Sequence, residues 1–171
     1  MKAFLFTVGL LVLLGCSDNS QRYHNARFDF SLQLPSDMQW REDYLGSALV
    51  IEPRADSALA GKLRYLSVDV NDAKATTNSL EDYSQFRLSE LQRFARRSEI
   101  HQRETRSLAG YPAQRLRASV QFGAQENTLL LYYLLADGRG YTLTAAFAPN
   151  NDQDSTAQVD ALIGSLRLPT P

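Results

Sequence analysis

Residues 128–136 read TLLLYYLLA, nine positions without a charge, and Asp137-Gly138 follows at once. Alternation cannot describe such a run, because both faces of the strand are apolar. It belongs in the middle of a sheet, covered on both sides. Asp-Gly is a residue pair suited to a two-residue hairpin turn, whose central positions need positive φ. The chain then returns as YTLTAAFAP, residues 141–149, where Tyr141, Leu143, Ala145 and Phe147 share a face. Strands joined this tightly cannot be parallel neighbours. The core is therefore expected to be a mainly antiparallel sheet.

The flanking sequence supplies the rest of that sheet and its cover. RFDFSLQLP alternates Phe28, Phe30, Leu32 and Leu34 with Asp29, Ser31 and Gln33, the pattern of a half-buried strand ended by Pro35. A turn at SDM leads to QWREDY, whose Trp40 is expected to pack under the sheet. SALVIEP (47–53) and RYLSVDV (64–70) read as strands around the loop RADSALAGK, with Leu66, Val68 and Val70 inward. Between residues 76 and 97 the period changes. Leu80, Tyr83, Leu88, Leu91, Phe94 and Ala95 fall on one side of a helix, and Ser79 with Asp82 resembles a capping box in which aspartate replaces glutamate. EIHQRETRSL and AQRLRASVQF return to strand around the AGYP turn. Val159, Leu162, Ile163 and Leu166 stand at i, i+3, i+4 and i+7 of a C-terminal helix closed by Pro169. This order makes the fold class α+β, about six to eight strands flanked by two main helices.

The N-terminus is a separate matter. Ala3 to Gly15 is too short to cross about 30 Å of hydrocarbon, which takes roughly 18 or more apolar residues. Behind Lys2 it has the layout of a secretory signal. Leu13, Leu14, Gly15 and Cys16 resemble the lipobox of bacterial lipoproteins, which implies a diacylglyceryl thioether on Cys16 and cleavage before it. A thiolate is nucleophilic enough to take the lipid. The expected organisation is a signal peptide at 1–15, a lipidated tether at 16–22 and a globular domain at 23–168. Multiple acyl chains make a stable anchor, so the membrane is an expected partner. Lipoprotein sorting in Gram-negative bacteria, where aspartate after the cysteine favours the inner membrane, points with Ser17 in that place to the outer membrane.

Composition bounds the function classes. Removing residues 1–15 leaves 156 residues, enough for one core. They carry 17 basic against 19 acidic side chains, which argues against a nucleic-acid partner. Cys16 is the only cysteine, so a lipidated chain has no disulfide and is held by packing.

FDFSLQLPSDMQW, LAGYPAQRL, YYLLADGRGYTLTAA and ALIGSLRL together resemble the PsbP-like superfamily, in particular the DcrB-like bacterial lipoproteins. The resemblance spans about residues 23–168. It implies an antiparallel sheet sandwiched by helices, and proteins that assist or scaffold others: photosystem subunits, a nuclear-import factor, secretion-associated chaperones and envelope lipoproteins. The expected function is a non-catalytic, membrane-anchored periplasmic protein that binds or assists another envelope protein. A module for a small ligand or lipid is the alternative, and an enzyme comes third.

The chemistry-bearing residues are few. His24 and His101 have no cysteine or second histidine at ligand spacing, so no metal and no cofactor is expected. No Gly-x-Ser-x-Gly elbow or Gly-rich phosphate loop is present. The pairs Glu42/Asp43 and Glu81/Asp82 read as solvated carboxylates, and no catalytic residue is assigned. Arg93, Arg96, Arg97, Arg103, Arg106, Arg115 and Arg117 form the one candidate patch, either a solvated face neutralised by Glu90, Glu99 and Glu104 or a surface for an acidic partner or lipid phosphates.

Overall fold

A computed structural model describes residues 20–73, 79–149 and 151–169. The signal segment, the lipobox and Cys16 lie outside the described residues. Among the described residues nine strands and two helices run in the order β1 (Ser20–Asn25), β2 (Phe30–Pro35), β3 (Met38–Tyr44), β4 (Ser47–Pro53), β5 (Leu63–Asp72), α1 (Leu80–Phe94), β6 (Arg97–Leu108), β7 (Tyr111–Phe122), β8 (Gln125–Ala136), β9 (Arg139–Phe147) and α2 (Gln153–Gly164). Seven of the strands form one sheet in the order β3-β4-β5-β9-β8-β7-β6, antiparallel throughout, and β1-β2 is a separate hairpin.

The expected hairpin is the centre of the sheet. Asp137 and Gly138 take φ of 52° and 75°, and Leu129 to Leu134 are buried without a break. Two cores account for the two apolar faces. On one face Leu130, Tyr132, Leu134, Tyr141, Leu143, Ala145 and Phe147 pack with Phe30, Leu32 and Leu34 of the hairpin and Val159, Leu162, Ile163 and Leu166 around α2. On the other, Leu116, Ala118, Val120, Leu129, Leu131, Tyr133 and Ala146 pack with Tyr83 and Leu88 of α1. Both helices are capped by side chains. Ser79 accepts from the Asp82 amide, and Asp152 and Ser155 close a reciprocal box on α2.

The structure differs from expectation at three places. Strand pairing begins at Ser20, three residues before the expected domain start, because SQRYHN pairs along β2 from Ser20↔Pro35 to Asn25↔Phe30. Phe28 and Asp29 belong to the hairpin turn, where Asp29 takes φ of 52°, and not to the strand. Trp40 packs as expected against the core of the α2 face, half-buried on β3 and edge-on to Tyr23 at 6.3 Å between ring centroids. Phe94 does not join the buried stripe of α1: it is the last residue of the helix and is 77% exposed.

Candidate functional site

The register settles where the seven arginines go. On β7, Leu116, Ala118 and Val120 face α1, so Arg115 and Arg117 face α2. Arg115 is only 7% exposed and lies between carboxylates: Nη2 is 2.7 Å from Asp160 of α2 and Nη1 is 2.9 Å from Glu104 of β6. Burial works against its charge, yet the Asp160 carboxylate outweighs it and the guanidinium pKa is raised. The Tyr132 hydroxyl donates to the same Asp160 at 2.8 Å, and burial followed by that carboxylate pushes it up to about 12. Arg106 meets Glu104 at 2.8 Å, while Arg103 points to the opposite face and meets Glu81 at 3.3 Å. Arg93, Arg96 and Arg97 are exposed at the end of α1 and the start of β6. Among the described residues these three and Arg117 have no carboxylate in ion-pair range. The seven thus divide into a buried bridge, two paired surface residues, a half-buried Arg117, and a free trio.

A second constellation escaped the sequence reading. Among the described residues α1 is the one helix on its face of the sheet, and it lies over β7 and β8. Among the described residues no helix covers the β3-β4-β5 side of that face, and a trough opens between α1 and β9. Beside it the register sets Val50, Ser67 and Thr144 in one row and Asp69 and Thr142 in the next, with Val50, Ser67 and Thr142 buried. Along the wall, Tyr83 donates to Asn71 Oδ1 at 2.8 Å and sits 3.0 Å from Thr142 Oγ1. Tyrosine has one proton, so Thr142 donates to Tyr83 and its oxygen accepts from Arg87 Nε at 3.2 Å. Arg87 also holds Glu90 at 2.7 Å. The chain Glu90-Arg87-Thr142-Tyr83-Asn71 is a prearranged polar wall on rigid elements. Asp69 lies beside it, its pKa raised by burial against hydrogen bonds from Ser47 and Ser67 and the charge of Arg87. Arg87, Glu90, Phe94, Tyr133, Thr142 and Thr144 line a cleft of about 270 Å³ there.

The remaining residues of interest are dispersed. His24 is 3.8 Å from Asp29, and His101 contacts Ser119 at 2.7 Å. Glu81 holds Arg103 and Gln114, Asp82 holds Ser79, and Asp43 holds Arg27. Glu42 stands near Tyr23, whose hydroxyl is pushed up to about 12 by burial first and that carboxylate second. A larger cleft, about 480 Å³, opens between Pro35–Met38, Leu59 and α2 beside Ser20. Both clefts open to solvent.

An antiparallel sheet between α1 on one face and α2 with a strand hairpin on the other is shared with the solution structure of cyanobacterial PsbP (CyanoP) from Synechocystis sp. PCC 6803. The TM-score is 0.66 over 95% of this chain and 99% of that one, at 16% identity. The fold is PsbP-like. A Pseudomonas aeruginosa protein of unknown function, PA94, described as a putative regulator, superposes with a TM-score of 0.58 at 15% identity, over 89% of this chain and 98% of that one. LpqN of Mycobacterium tuberculosis, described as involved in cell envelope biogenesis, gives 0.54 at 14% identity, over 86% and 89%. No family model and no curated protein matches the sequence. Identities this low carry the PsbP-like architecture and leave function to the residues.

Proposed function

We propose that this chain is a DcrB-like lipoprotein, anchored through Cys16 to the outer membrane and facing the periplasm, that binds or assists another envelope protein without catalysis. The observation that carries the binding reading is the trough beside α1. Its polar groups satisfy one another, which suits a surface that keeps its shape. A buried apolar cavity would instead suit a small ligand or a lipid. The described core is two packed clusters, and the clefts beside it are open. LpqN, with its role in envelope biogenesis, supports the cellular setting.

Two experiments test the two halves. Metabolic labelling with a clickable palmitate marks the native protein and leaves Cys16→Ser unlabelled; label on the serine variant would sink the anchor. For the binding half, a photo-crosslinking amino acid replaces Tyr65, which stands exposed on the trough side of β5. In intact cells it gives a discrete adduct, and the same probe at Gln158 on α2 does not. Equal adducts at both positions, or none, refute the trough as the partner surface.

A further inference from the structure

The segment Arg93-Phe94-Ala95-Arg96-Arg97 is where the structure places exposed charge and exposed aromatic surface together. Phe94 is the most exposed aromatic among the large hydrophobics, at 77%. The three arginines are exposed and have no carboxylate in range among the described residues. Arg87 occupies Glu90, and the His101 ring lies 3.8 Å from Glu99. One arginine in the last turn complements the helix dipole, but Arg96 and Arg97 stand beyond the helix, and the dipole asks nothing of a phenylalanine. The segment is also held firmly. Ala95 donates to Leu91 O at 3.1 Å and Arg96 donates to Gln121 O of β7 at 2.8 Å, so the cluster rides on the sheet.

The topology decides which end of the molecule this is. Ser20 pairs with Pro35, and Pro35 leads directly to Met38, opposite Pro53. Met38, Pro53, Leu63, Phe147 and Arg97 all lie at one end of the sheet; the turns at Leu45-Gly46, Ala109-Gly110 and Asp137-Gly138 lie at the other. The chain enters the domain beside β3, at one edge of this end, and the arginine trio stands beside β6 at the other edge, with five strands between. Cys16 is four positions before Ser20, a reach of about 14 Å fully extended. A lipid on Cys16 therefore brings this end, and not the opposite one, against the bilayer.

We infer that the 93–97 segment is a second membrane contact, in which Arg93, Arg96 and Arg97 bind the phosphates of anionic phospholipids and Phe94 enters the interface. This inference rests on the proposed anchor at Cys16. Arginine near an anionic surface contributes enough that three together give on the order of 100-fold in surface affinity. The aromatic ring adds apolar burial at the headgroup boundary. The result is a domain fixed in orientation by two points, with the trough presented along the membrane normal rather than free to tumble.

The test uses the full lipidated protein with a fluorophore on Gln92→Cys, in vesicles of phosphatidylcholine alone or with one third phosphatidylglycerol, each carrying a lipid-bound quencher. Quenching is expected with phosphatidylglycerol, and not with phosphatidylcholine alone. It is expected to vanish in R93Q/R96Q/R97Q and in 1 M salt, where the Debye length falls from about 10 Å at 0.1 M to about 3 Å. A protein that floats with the vesicles and is not quenched, or is quenched equally in both lipids or in the triple variant, overturns the second contact. The first of these results assigns the trio to an acidic protein partner. A protein that floats with neither vesicle refutes the anchor, and the inference with it.

Discussion

Gly140 is the position where a single methyl group tests the packing of α1. A Cβ built there lies 2.5 Å from Cε2 and Cζ of Tyr83 and 2.7 Å from its hydroxyl. Carbon atoms in contact prefer about 3.5–4.0 Å, so the ring has to retreat by about 1 Å. It has nowhere to go. Tyr83 is fully buried, its hydroxyl is fixed by Asn71 and Thr142, and its ring stands edge-on to Tyr133 at 6.3 Å. Overpacking costs about 1–3 kcal/mol, and two strained hydrogen bonds add about 1 kcal/mol each if lost. Against this, alanine gains about 0.4–1 kcal/mol over glycine through the unfolded chain. Gly140→Ala is thus expected to lose about 2–4 kcal/mol in urea unfolding, with an unchanged slope. Tyr83→Ala alone costs about 3–5 kcal/mol through its cavity. In that background the added Gly140→Ala is expected to be neutral or slightly stabilising, because the clash has gone. Additive losses in the double variant, or a neutral Gly140→Ala in the native background, would refute this account of how α1 is seated.

Other perturbations separate structural from surface roles. Arg115→Leu leaves Asp160 and Glu104 facing an apolar side chain and is expected to lose about 2–4 kcal/mol, discounted for their partial exposure; Arg106→Gln, on the surface, loses at most about 1 kcal/mol. Equal effects from the two would contradict the bridge. Asp69 has a folded pKa raised by burial, so the stability it contributes is full below its unfolded value of 3.8 and is lost as pH rises through the raised value. Asp69→Asn is therefore expected to raise the melting temperature at pH 7 and to give no advantage below pH 3.8; a lower melting temperature at pH 7 would show that its charge is needed for stability. A chain starting at Ser17 carries all of β1 and no lipid, and is expected to melt in one cooperative transition by calorimetry, whereas a broad or absent transition would mean that the anchor contributes to the fold.

What was legible in the sequence tracks how local the cause is. The β8-β9 hairpin was readable because the apolar run, the Asp-Gly pair and the alternation of Tyr141, Leu143, Ala145 and Phe147 all lie within 22 residues. α1 announced itself by period and cap, and α2 by period. β1 did not, because its inward residues are only Tyr23 and Asn25, and its strand character comes from β2. The arginines were visible as a group, but their division was not. Arg115 and Arg117 share a face, yet only Arg115 lies beneath α2, where Asp160, 45 residues further on, reaches it.

The trough shows the same limit more sharply. Asn71, Tyr83, Arg87 and Thr142 come from β5, α1 and β9, and no local pattern joins them. Tyr83 reads as a core residue of an amphipathic helix, which it is; that its hydroxyl organises a polar wall depends on the sheet beneath. One sequence signal did point there. A glycine inside a strand pattern marks a close approach by another part of the chain, and Gly140 lies outside the two residues that need positive φ, Asp137 and Gly138. Read as the second glycine of a DGRG turn, it looks redundant. As the first inward position of β9 on the α1 face, opposite Asn71, it is the space that Tyr83 requires, and the trough owes its wall to the absence of one side chain.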